Sequence, residues 1–160
     1  MITDNDRQHL RRCVELATEA LEAGDEPFGS VLVAGDGQVL REDRNRANTV
    51  DATYHPEIAV AQWAAKNMTP DARAKAVVYT SGEHCAMCSA AHAWAGLGRI
   101  VYVSSSKQLG KWMDEIGVKS SSPINTLSIQ EVAPNIPVDG PIAGLDEEVK
   151  ELQRRSLLKS

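Results

Sequence analysis

His55 and Glu57 stand two residues apart, and Cys85 and Cys88 form a Cys-x-x-Cys pair some thirty residues further on. One imidazole and two thiolates are a good ligand set for zinc, and three protein ligands leave a tetrahedral ion one position open for water. Two thiolates balance the charge of the dication, and a metal so held can bring the pKa of its water close to neutrality. A carboxylate that is not a ligand, two residues from the histidine, is placed to carry protons for that water. The pattern points to metal-assisted hydrolysis, with His55, Cys85 and Cys88 on zinc and Glu57 as the acid-base group.

Other readings of these residues are open at this point. A Cys-x-x-Cys that follows a strand and opens a helix also suits a thioredoxin-like dithiol, but a dithiol has no use for the upstream His-x-Glu. A purely structural zinc site needs a fourth protein ligand, and His92, at helical spacing from Cys88, is the candidate. A zinc-bearing interaction module without catalysis would leave Glu57 without a purpose. Gly35-Asp36-Gly37 lacks the glycine spacing and following helix of a phosphate loop. Cys13 falls on the apolar side of a helical pattern and reads as core.

The elements that must position this chemistry can be read from periodicity. Apolar residues at 10, 13, 14, 16, 17, 20 and 21 give one face of a helix over 6–23, ended by Gly24. The apolar runs 30–34 and 38–41 flank Gly35-Asp36-Gly37, a hairpin signal. After a polar loop over 44–54, a helix is expected over 55–66, with Pro56 in the first turn, where a missing N–H costs nothing. Strands over 74–81 and 100–104 enclose an alanine-rich helix over 85–95, a β-α-β unit whose right-handed crossover makes the strands parallel. A helix over 107–116, a strand over 124–132 and a mixed-charge helix over 145–158 complete the chain. Residues 120–123 and 134–141 read as surface connectors. Both halves of the chemical motif therefore open helices, and helix N-termini favour thiolates. The predicted fold is α/β, a three-layer α/β/α arrangement around a mixed five-stranded sheet.

With 160 residues, the chain is expected to form one domain over 1–160. No stretch reaches the ~20 apolar residues needed to cross a bilayer, and residues 1–7 carry no apolar signal region, so no membrane partner and a cytoplasmic location are expected. Three cysteines, an odd count, fit a metal site in a reducing compartment better than a disulfide framework. A net charge of −5 gives little purchase on a phosphate backbone, which argues against nucleic-acid partners, although Arg154, Arg155 and Lys159 form a small local cluster. The alternating C-terminal charges suit a solvated helix or a dimer edge.

The H-x-E and C-x-x-C pair resembles the zinc deaminases of the cytidine deaminase superfamily. The likeness runs from about Glu26 to Val103. The segments Asp51-Ala-Thr-Tyr-His-Pro-Glu57 and Thr80-Ser-Gly-Glu-His-Cys-Ala-Met-Cys88 are similar to the guanine deaminase and tRNA adenosine deaminase branch. Two positions depart from that branch. Pro56 stands where alanine is usual, and His84 replaces the proline before the first cysteine. Neither change removes a ligand; His84 is read as a solvated residue, or one near the mouth of the site.

The resemblance implies hydrolysis of an exocyclic amino group from a nucleobase or nucleoside, with zinc as cofactor and water as co-substrate. It also implies substrate contacts from Asn45 and Trp94, a second acidic proton carrier at Asp114 or Glu115, and a homodimer. Phe28, in Pro-Phe-Gly, is expected to pack beneath the site. Guanine or a related aminopurine is the expected substrate. Cytosine, cytidine or an aminotriazine is the alternative, and the wobble adenosine of tRNA a more remote one.

Overall fold

Thr3 starts the first helix. Its hydroxyl accepts the Asp6 N–H while the Asp6 carboxylate accepts the Thr3 N–H, a reciprocal capping box. The computed structural model describes residues 1–159, so Ser160, the last residue of the expected domain, lies outside the described residues. In chain order the elements are α1 (Asp4–Glu22), β1 (Gly29–Val33), β2 (Val39–Arg44), α2 (Pro56–Asn67), α3 (Pro70–Lys75) and β3 (Val77–Gly82). There follow α4 (Ala86–Ala95), β4 (Ile100–Ser104), α5 (Ser106–Glu115), α6 (Ile129–Val132), β5 (Val138–Asp139) and α7 (Leu145–Leu157).

The five strands lie in the order β2-β1-β3-β4-β5. The hairpin makes β1 and β2 antiparallel, β1 also runs antiparallel to β3, and the crossovers make β3, β4 and β5 parallel. Strand alternation divides the core between the two faces. Val31, Tyr79, Val101 and Val103 pack against α1, α5 and α7. Leu32 and Val78 pack against Val60, Ala61 and Ala64 of α2 on the other face. This is the predicted three-layer α/β/α architecture, with a mixed five-stranded sheet. Among the described residues, no helix is long and apolar enough to cross a membrane.

The fifth strand is not where the pattern put it. Residues 124–132 were expected to be extended, but Ile124 is exposed in a coil, and Ser128 caps the single turn α6 through a Ser-x-x-Glu box with Glu131. The strand is the two-residue β5, inside the 134–141 segment expected to be a surface connector. It exists because the far edge of β4 needs partners, beginning with Ile100 N–H to Pro137 O at 2.9 Å. A short helix, α3, precedes β3 and trims that strand to Val77; its cap Thr69 and Pro70 at the first helical position are the local signals.

Candidate functional site

His55 is the N-cap of α2 and Cys85 the N-cap of α4, and neither side chain caps its own helix. Both are therefore free to turn toward each other. His55 Nδ1 lies 3.6 Å from Cys85 Sγ and 3.7 Å from Cys88 Sγ, and the three donor atoms all lie within 4.8 Å of one another. Zinc bonded at about 2.3 Å to sulfur and 2.0–2.1 Å to nitrogen in a tetrahedron separates those ligand atoms by about 3.6 Å. The donor spacing fits the ion.

The electrostatics fit it as well. Cys85 is pushed down to about 4 by hydrogen bonding with Cys88 and with His55, against the effect of burial. Cys88, fully buried, is pushed up by the neighbouring Cys85 sulfur and by burial. His55 is raised to about 9, chiefly by its hydrogen bond with Cys85. Without a cation, one thiolate and one imidazolium form the pair and the second thiol stays neutral. A dication supplies the positive charge that the second thiolate needs.

Two residues into α2, Glu57 is buried behind this cluster. Its Oε1 accepts the Thr80 hydroxyl at 3.0 Å, and Thr80 Oγ1 in turn accepts the Ser30 hydroxyl at 3.0 Å. Thr80 and Ser30 are paired across β3 and β1 and lie on the α2 side of the sheet. Burial raises Glu57 to about 7, opposed by His55 and the Thr80 hydroxyl.

Glu57, His55 and Cys85 all line one cavity of about 610 Å³. Phe28 and Asn45 line it too, while Leu109 and Met113 of α5 and the segment from Ser120 to Leu127 form its outer wall. Gly82 seats the Phe28 ring, since a Cβ there would lie 3.0 Å from Phe28 Cε1.

Residues 4–143 match the MafB19-like deaminase family. The chain belongs to that family. It is 31% identical to a probable cytosine deaminase of Schizosaccharomyces pombe over 141 residues, which cover 88% of this chain and 86% of the relative. It is 35% identical to the guanine deaminase of Bacillus subtilis over 102 residues, 62% of this chain and 65% of the relative. A protein solved in complex with 2,6-diaminopurine superposes with a TM-score of 0.73 at 20% identity, covering 99% of this chain and 84% of that one, and shares the fold. The His-Cys-Cys triad is therefore the zinc site of a MafB19-like deaminase, an aminohydrolase acting on nucleobases.

In this deaminase the expected substrate contacts divide. Asn45 and Phe28 line the cavity, and Asn45 is buried. Asn45 Oδ1 already accepts the Ala47 N–H at 2.8 Å, and the amide NH₂ donates to Glu26 Oε2 at 3.5 Å, which leaves its second N–H for a ligand. The loop is held by buried Asp25, which accepts the Asn48 and Thr49 N–H groups, the Thr49 hydroxyl and Arg44 Nη1.

Trp94 does not line the cavity of its own chain and is 89% exposed. Six residues past Cys88 on a helix is a rotation of about 240°, which carries it away from the buried Cys88, Ser89 and His92. Asp114 and Glu115 do not line the cavity either. Gly110 and Met113 hold that side of α5, whereas Glu115 reaches Lys150 at 3.3 Å.

His84 is neither solvated nor at the mouth of the site. It is fully buried, edge-on to His92 with ring centroids 5.5 Å apart, and burial pushes it well below its usual range. His92 Nε2 donates to Gly98 O at 2.7 Å, so it lies outside the donor cluster and does not close it. Cys13 is core, as expected, and burial raises its thiol.

Two carboxylates at the cavity, Glu26 and Glu83, were not foreseen. Glu83 Oε1 accepts the Ser106 N–H at 3.0 Å and Oε2 the Ile129 N–H at 2.9 Å. Nothing local distinguishes either residue from a solvated acid.

Proposed function

We propose that this chain hydrolyses the exocyclic amino group of an aminopurine, guanine or a close relative, with Glu57 carrying the protons. The observation that carries the reading is the position of Glu57, buried beside the triad and facing the cavity that Asn45 and Phe28 share. His55, Cys85 and Cys88 would hold the zinc, which would supply the Lewis acidity that activates a water molecule.

Glu57 does the rest of the proton work. Its carboxylate takes a proton from the attacking water and delivers it to the ring nitrogen beside the amidine carbon; it then takes the remaining proton of the newly added hydroxyl and gives it to the departing amine, which leaves as ammonia. Burial favours its neutral form, which suits a group that must hold a proton between the two transfers. Thr80 holds Oε1 and so fixes the orientation of the carboxyl beside the triad. The Asn45 amide NH₂ donates to an acceptor on the edge of the base, and Phe28 supplies apolar surface for the ring.

The purine preference is supported by a cavity of about 610 Å³, ample for a two-ring base, and by the purine ligand of the structural relative. A second reading, cytosine, is favoured by the Schizosaccharomyces pombe relative, which matches along most of its length. Tests are ammonia release from guanine, 2,6-diaminopurine, adenine and cytosine under identical conditions, and the Glu57→Gln variant. Turnover of an aminopurine is expected, with at least a ~10²-fold loss in the variant. Preference for cytosine by about tenfold, or 1.4 kcal/mol in transition-state stabilisation, rejects the purine assignment.

A homodimer is also part of this reading, because Trp94 offers a large apolar surface that a second copy would cover. A monomer in light scattering would remove it.

A further inference from the structure

The floor of the cavity and its outer wall differ in chemistry. Glu57, His55, Cys85, Phe28 and Asn45 form the floor, where the base is processed. The wall is the exposed stretch from Ser120 to Thr126. Within it, Ser120 Oγ accepts the Ser122 N–H, and the Ser122 hydroxyl donates to Ile124 O at 3.4 Å. These bonds fold the stretch on itself. The Ser121 hydroxyl, the Asn125 amide and the Thr126 hydroxyl make no hydrogen bond to another described residue, yet all three line the cavity.

We infer that the site prefers its base carried on a sugar, as a nucleoside, with the sugar hydroxyls meeting Ser121, Asn125 and Thr126 at the wall. The inference rests on the reading of this cavity as the substrate site. Volume supports it. About 610 Å³ is the middle of the range that takes drug-sized ligands, roughly 300–1,000 Å³. A base alone occupies the floor and leaves the exposed wall to solvent, whereas a sugar nearly doubles the ligand's atoms and extends it from the floor toward the wall. A hydroxyl-bearing ring is what unpaired hydroxyls and an amide can recognise, since each side can donate and accept.

Charge restricts the class further. The lining contains Glu26, Glu57 and Glu83, and none of the described lining residues is lysine or arginine. A phosphate at the wall would enter a cavity lined by three carboxylates and by no lysine or arginine, so the preferred sugar carries no phosphate and does not belong to a nucleic-acid chain.

The test compares pairs on zinc-loaded enzyme: guanine and guanosine, 2,6-diaminopurine and its riboside, cytosine and cytidine, with guanosine 5′-monophosphate and a short single-stranded RNA alongside. In each pair that turns over, the nucleoside is expected to exceed the base in kcat/KM by about tenfold, the effect of two or three hydrogen bonds each worth a small factor. The monophosphate is expected to fall about tenfold below guanosine, and the RNA lower still.

A base equal to or better than its nucleoside overturns the inference, as does preference for the monophosphate or the RNA. A nucleoside advantage confined to the cytosine pair would sink the aminopurine reading and leave the sugar assignment standing. Thermal shifts with the same pairs read binding without turnover, and no greater stabilisation by nucleosides than by bases also overturns it. The double variant Asn125→Leu with Thr126→Val, both exposed, should shrink the nucleoside-to-base ratio at least about threefold. An unchanged ratio removes the wall from the site.

Discussion

The Thr80 hydroxyl donates to Glu57 Oε1 at 3.0 Å, across the space between β3 and the first turn of α2, and both residues are buried. A carboxylate at the base of a cavity can rotate, and a rotated carboxylate presents the wrong oxygen. Thr80, itself oriented by the Ser30 hydroxyl, engages Oε1 of Glu57 and fixes the carboxylate's rotation. Thr80→Val keeps the shape and removes the donor. Hydrogen bonds to charged groups are worth about 1.5–3 kcal/mol, so kcat should fall by roughly 10- to 100-fold. Zinc content, measured by elemental analysis, should stay at the wild-type level. A variant with normal kcat would show that Glu57 orients itself without this bond.

Zinc stoichiometry tests the triad. One ion per chain is expected, and Cys88→Ala should abolish it, because His55 and Cys85 alone leave two positions without protein ligands. Cys88 is fully buried in the first turn of α4, so metal binding and folding are coupled at that helix. Chelation of the wild type should therefore lower Tm as well as activity. Recovery of metal-free protein with a reversible Cys85–Cys88 disulfide would favour the dithiol reading instead.

The parts of this molecule legible from sequence are those set by neighbours along the chain. Pro56 inside α2, the glycine turn between β1 and β2, and the alanine run of α4 all state their conformation locally, and with them the placement of His55, Glu57, Cys85 and Cys88. Two-residue β5 is different. Its strand character comes from hydrogen bonds to β4, some thirty-eight residues earlier, and the flanking prolines at 137 and 141 read as connector. Trp94 stands apart from its own chain's cavity for another reason. Spacing in a family says which residue, and the helical angle says which face; the angle from Cys88 turns Trp94 to solvent. Glu83 acquires its role only when Ser106 and Ile129 are brought beside it.

Buried Asp6 ties α1 to the sheet. It accepts the Tyr79 hydroxyl at 2.6 Å and two Arg99 nitrogens at 3.1 and 3.2 Å, and Arg99 also holds Asp139 of β5 at 2.8 Å. Burial alone would raise the Asp6 pKa, but the bonds from Arg99, the Thr3 N–H and Tyr79 outweigh it and hold the carboxyl well below the carboxylate range. A depressed folded pKa means that the contribution is complete above the unfolded value, near 3.9, and fades as pH falls below it. Asp6→Asn should cost about 2 kcal/mol at pH 7. In urea titrations the gap between wild type and variant should narrow at pH 3, where both proteins have equally lost metal. A gap that is the same at both pH values would mean that the charge of Asp6 contributes nothing.

Glu83 joins the zinc-bearing loop to the wall of the cavity. It lies two residues before Cys85 and accepts the first amides of two helices, Ser106 of α5 and Ile129 of α6. The caps Ser105 and Ser128 satisfy the third-position amides of those helices, so the first-position amides depend on Glu83. The segment between α5 and α6 is the one that walls the cavity, and Glu83 holds both of its anchors. In Glu83→Gln one oxygen still accepts, but the new NH₂ faces an N–H donor, and one anchor is released. The metal ligands and Glu57 do not move, so the effect should fall on substrate capture: KM raised about 5- to 10-fold with kcat within about twofold of wild type. Zinc content should be unchanged. A fall in kcat at constant KM would place Glu83 in the proton path, and loss of zinc would show that it supports Cys85 instead of the wall.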